Sequence, residues 1–81
     1  MAMNNQGKRI MKWLRDRMAL LEYASLQEVA DAVGINRGNL YRYFTAETRP
    51  SIEMMPPLCA ALDVSYEELL IALEVVKPSK R

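Results

Sequence analysis

SLQEVADAVGINRGNLYRYF, residues 25–44, decides the fold of this chain. Ala30 is followed four residues on by Gly34, and Leu40 lies six further. Each type meets one geometric need. A small side chain lets two helices cross closely, a glycine tolerates positive φ in a tight turn, and an apolar residue of the second helix plugs the angle between them. Val29, Val33, Ile35 and Tyr43 complete an apolar inner face, while the outer face is polar. Ser25 with Glu28 spells a capping box for the first helix of the pair, Leu26 to Val33, and Asn36 caps the second, about Arg37 to Phe44. A generic helical hairpin stopped by glycine is the alternative.

Working outward, the N-terminal side offers one amphipathic helix from about Lys8 to Glu22, with Ile10, Leu14, Met18 and Leu21 on one face and Trp13 beside them. Residues 1–7 are polar and unpatterned and read as a flexible arm. On the C-terminal side, Thr45 to Met55, TAETRPSIEMM, is a loop, within which Ser51 offers the start of a short helical turn. Proline is tolerated in a first helical turn, so a fourth helix opens at Pro56-Pro57 and runs to Leu62. Ser65 and Glu68 form a second capping box, a fifth helix runs from Tyr66 to Val76, and Pro78 follows. The expected fold is all-α: a compact five-helix domain over 8–76, with its helical pair at 26–45 and a basic tail at 77–81.

Composition narrows the function. Eighty-one residues close one modest core with little left for a catalytic cleft. The chain has no His and a single Cys, Cys59, which reads as a small core hydrophobe; zinc sites, thiol pairs and the usual nucleophile and base pairs are therefore not expected, and neither is an enzyme, a metal or a cofactor. No apolar run reaches the length of a membrane span and the first ten residues lack a signal-peptide stretch, which points to the cytoplasm. Net charge is only +1, but it is segregated. Residues 1–45 hold seven Lys or Arg against four acids, and residues 46–76 hold Arg49 against six acids. A basic face for phosphates and an acidic face turned away would produce this distribution, as would ordinary solvated helix surface.

The words of the sequence resemble the lambda repressor-like DNA-binding domain of the Xre and Cro type. The matching stretches are SLQEVADAVGINRGNLYRYF and RPSIEMMPPLCAALDVSYEEL. In the second, the family's Pro-Ser loop, A-x-x-L-x-V helix end and capped S-x-x-E-L helix correspond to Pro50-Ser51, Cys59 to Val64 and Ser65 to Leu69. VADAVGINRGNLYRYF is also similar to the reading unit of the TetR family, yet nothing after Val76 builds that family's ligand-binding domain, so no small-molecule effector domain is expected. Xre members often place a Gln directly after the capping Ser. Leu26 stands there in this chain, and the phosphate contact passes to Gln27.

The resemblance implies a helix-turn-helix whose second helix enters the major groove, where side chains of its first turns and outer face reach the bases. Those positions are Asn36, Arg37, Gly38, Asn39, Tyr41 and Arg42. Arg37 and Arg42 suit bidentate bonds to guanine O6 and N7; Asn39 suits adenine or a phosphate. Gly38 either lets backbone approach a base or is simple tolerance near a helix start. Tyr41 reads as a phosphate contact, as do Gln27, Lys8, Arg9 and Lys12, which set position without reading sequence. Leu70, Ile71 and Val75 of the fifth helix present more apolar surface than one face buries, and a homodimer on a double-stranded operator explains them; a fully buried monomer core is the alternative. A small dimeric repressor is the leading expectation. An antitoxin-type protein-interaction module and a DNA-processing accessory factor of a phage or plasmid are the others.

Overall fold

The computed structural model describes residues 4–78 and contains five α-helices: α1 Asn5–Leu21, α2 Leu26–Val33, α3 Arg37–Phe44, α4 Met55–Leu62 and α5 Tyr66–Ala72, with a 3-10 turn at Ile52–Met54 before α4. The all-α, five-helix expectation holds. Met1 to Met3 of the expected arm and Ser79 to Arg81 of the expected tail lie outside the described residues.

α1 starts earlier than the apolar pattern suggests. Asn4 is its N-cap, with the side-chain Oδ1 accepting from the Gly7 N–H at 2.7 Å, so residues 4–7 are the cap and first turn of a helix and not an arm. An Asn cap that ties down one of the orphan N–H groups outweighs the polar, unpatterned composition of this segment. Gly7, Ile10, Met11, Leu14 and Met18 form the buried stripe of α1.

Ser25 caps α2 by accepting from Glu28 N–H, as its spacing requires, but the Glu28 carboxylate reaches back to the N–H of Ala24 at 2.7 Å and not to that of Ser25. The full reciprocal capping box belongs to α5, where Ser65 and Glu68 satisfy each other's backbone N–H. α2 ends at Gly34, whose φ of 93° supplies the left-handed turn into α3. α4 begins at Met55, one residue before the expected start, with Pro56 and Pro57 in the first turn, where no N–H is missed.

α5 is shorter than expected. It ends at Ala72 and the chain turns over Glu74, at φ 60°, with the Val75 N–H returning to the Leu70 carbonyl at 2.9 Å. Val75 and Val76 are therefore outside the helix.

Ala30 and Leu40 are both fully buried at the α2–α3 crossing, which α1 and α4 cover. Phe44, Leu58, Leu62, Leu69 and Leu73 extend the same core to α4 and α5. Trp13 is half-buried and stacks on Phe44, with ring centroids 6.2 Å apart and planes 6° apart, an offset pairing that adds roughly 0.5–1.5 kcal/mol to area burial. Cys59 is in the core as expected, and burial, with the charge of Glu68 second, pushes its thiol pKa up. Arginine side chains close two helix ends. Arg17 donates to the carbonyls of Leu62 and Asp63 at the end of α4, and Arg49 donates to Leu73 at the end of α5.

Candidate nucleic-acid interface

α3 separates its residues cleanly by face. Leu40 and Phe44 are fully buried, Tyr43 is half-buried, and Asn36, Arg37, Gly38, Asn39, Tyr41 and Arg42 are all exposed. The 3.6-residue period, with α2 and α1 packed on the inner side, turns these polar groups outward together. Tyr41 is 38% exposed and lies next to Arg42 on this surface.

The exposed groups form a local chain of hydrogen bonds. The Asn36 Oδ1 accepts from the Asn39 N–H at 2.7 Å, and the Asn39 Oδ1 accepts from Arg42 Nη1 at 3.0 Å. The Thr45 hydroxyl, buried at the end of α3, donates to the Tyr41 carbonyl at 3.0 Å and fixes the last turn. Arg37 makes no side-chain hydrogen bond to another described residue.

The expected phosphate-contact residues fall in different places. Gln27 is exposed in the first turn of α2, with its amide donating to Asp31 Oδ1 at 2.9 Å. Lys8 is exposed on α1, and Lys12 pairs with Asp16 at 2.9 Å. Arg9 is engaged elsewhere: its guanidinium makes a bidentate pair with Glu74 at 2.8 and 2.9 Å. That pair holds the Glu74 carboxyl below the usual carboxylate range and raises Arg9, the hydrogen bond contributing more than the unbonded Coulomb attraction. Arg17, counted on the basic side by sequence, is committed to capping α4. The structure thus exposes Asn36, Arg37, Gly38, Asn39, Tyr41 and Arg42 along α3 and its cap, and pairs Arg9 with Glu74.

The Asn39–Arg42 contact does not follow from the residues taken one by one. Its signal was the spacing of three on a helix, which makes the two side chains neighbours. Leu70 and Ile71 are half-buried and Val75 is 49% exposed. Ile71 lines a cleft of about 400 Å³ between α1 and α5, together with Arg9, Trp13, Val64 and Glu68. Among the described residues no group of three or more His, Cys, Asp or Glu is placed to hold a metal ion, and no helix is long and apolar enough to cross a membrane.

No match was found among curated proteins or among solved structures. A comparison with protein families matches residues 24–69 to the family described as helix-turn-helix, from just before the Ser25 cap to Leu69 in α5. The match runs through α2 and α3 and on through the Pro-Ser loop, α4 and most of α5, the stretches in which the lambda repressor-like wording was read; the TetR-like wording gains no support. On this match and this geometry, the chain belongs to the helix-turn-helix family of DNA-binding domains, of the lambda repressor-like, Xre type.

Proposed function

We propose that this protein is a sequence-specific transcriptional regulator that binds double-stranded DNA as a homodimer and reads the major groove with α3, most simply as a repressor that occludes a promoter. The observation that carries the reading is the outer face of α3, on which Asn36, Arg37, Asn39, Tyr41 and Arg42 stand exposed over buried Leu40 and Phe44. A helix anchored from beneath by two fully buried side chains is a rigid reader, and rigid presentation is what base-edge recognition requires. Gln27, Lys8 and Lys12 are the positioning contacts to phosphate in this reading; Arg9 would have to leave Glu74 to join them.

One module of this size buries too little surface for tight specific binding, and palindromic operators answer to two-fold proteins. The exposed Val75 and Val76, beside half-buried Leu70 and Ile71, supply an apolar patch for the second copy. Selection of bound sites from a pool of random duplexes tests the reading as a whole. A recovered consensus with two half-sites about 34 Å apart is the expected result; recovery of no consensus overturns it.

A further inference from the structure

We propose that Arg42 is the principal guanine reader of α3 and that Asn39, one turn back, is the positioning residue that presents it. The inference rests on the DNA-reading function proposed above.

Side chains on an α-helix lean toward its N-terminus, over the positions three and four residues back. For Arg42 those positions are Asn39 and Gly38. Asn39 Oδ1 accepts from Arg42 Nη1 at 3.0 Å, and Asn39 is itself in the first turn of α3, its N–H held by the Asn36 cap at 2.7 Å. A guanidinium has five N–H donors in a planar fork. With Nη1 engaged by Asn39, the edge formed by Nε and Nη2 remains, and its two parallel donors match guanine O6 and N7. Arg37, which has no such partner among the described residues, must be ordered on binding and is the weaker discriminator.

Gly38 has no backbone reason to be glycine. It is not among the positive-φ residues, and a Cβ built on it would meet only the Asn36 Oδ1, at 3.4 Å, an ordinary van der Waals distance. Glycine is nevertheless the poorest helix former after proline. A Cβ there meets no atom of the Arg42 side chain within 4 Å, so Gly38 takes no part in presenting it. Asn39, in this account, is spent on Arg42 and reads no base of its own.

The test compares wild type with Arg42→Ala, Asn39→Ala, Asn39→Asp and the Arg42→Ala, Asn39→Ala double variant, using duplexes varied one base pair at a time from the selected site and thermal melting of each protein. Arg42→Ala and Asn39→Ala are expected to lose discrimination at the same base pair, by on the order of ten-fold or more for Arg42→Ala, and the double variant should lose no more than Arg42→Ala alone. Asn39→Asp keeps the acceptor and should keep the preference. The proposal is overturned if Asn39→Ala alters preference at a different base pair from Arg42→Ala, if the two losses add, or if Asn39→Asp behaves as Asn39→Ala. A wild-type protein with no preferred duplex refutes the DNA-reading function itself, which separates that failure from the others.

Discussion

Gly7 has no room for a side chain: a Cβ there would stand 2.8 Å from the Thr45 carbonyl oxygen, a backbone atom that cannot swing aside. The first turn of α1 is thereby pressed onto the end of α3. Gly7→Ala is expected to destabilise the fold by roughly 1–3 kcal/mol, the usual range for overpacking, read as a lowered melting temperature at unchanged helix content well below the transition. A melting temperature equal to or above that of wild type would show that α1 yields at no cost. Gly34 is sensitive for a different reason. Nothing lies within 4 Å of its would-be Cβ, but its φ is 93°, so strain and not collision penalises any L side chain there. Gly7 and Gly34 thus have separate explanations, and only that of Gly34 was legible from its place after a capped apolar helix. Gly7 looked like part of a polar arm because its partner is 38 residues away in sequence.

The fifth helix shows how local chemistry and distant contacts divide an element between them. Its start was legible, since Ser65 and Glu68 sit at capping-box spacing and the structure closes the box. The hydrogen bonds from the Ser65 backbone N–H and then the Ser65 hydroxyl lower the Glu68 pKa, and the Arg9 pair lowers that of Glu74. A carboxyl whose folded pKa lies below its unfolded value stabilises the fold above about pH 4.3 and loses that contribution as pH falls through the folded value. Wild type should therefore lose more stability between neutral pH and about pH 3 than Glu68→Gln does, because the glutamine does not titrate. Equal losses in denaturant melts at the two pH values would mean that this carboxylate is unperturbed. The end of α5 was not legible. Apolar residues continue to Val76, so periodicity runs on, whereas Arg9 from α1 and Arg49 from the loop grip the Glu74 carboxylate and the Leu73 carbonyl and the chain turns over Glu74.

Across the whole molecule, charge is the property that the fold redistributes most. Of the bases in the first 45 residues, Arg17 closes α4, Arg9 pairs with Glu74 and Lys12 pairs with Asp16. The basic surface presented to DNA is smaller than the sequence count implies, and exposed pairs such as Lys12–Asp16 open readily because they contribute little. Affinity for the selected duplex should still fall steeply with salt as several counterions are displaced. Titrations at two salt concentrations check this, and an affinity indifferent to salt would sink it. At the same scale belongs the proposed homodimer. Val75→Asp places a charge at a position 49% exposed and outside any helix, so it should leave circular dichroism and melting unchanged while shifting sedimentation toward the monomer, since the charge is desolvated only on association. A wild type that already sediments as a monomer at micromolar concentration would remove this patch from the function.

By itself the sequence determined the helix pair, its turn and its outward face, because these follow from spacing within one or two turns: Ala30, Gly34 and Leu40 set the crossing, Ser25, Asn36 and Ser65 set the starts, and the polar residues between Asn36 and Arg42 had one face left to occupy. Only the tertiary structure decided which charged groups are committed elsewhere, where α1 begins and α5 ends, and that Gly7 admits no Cβ. Those outcomes depend on groups far apart in the chain, Arg17 on Leu62, Arg9 on Glu74, Gly7 on Thr45. Local propensity carries no information about such meetings, which arise when the apolar stripes of separate helices are driven into one core and bring whatever lies beside them into contact.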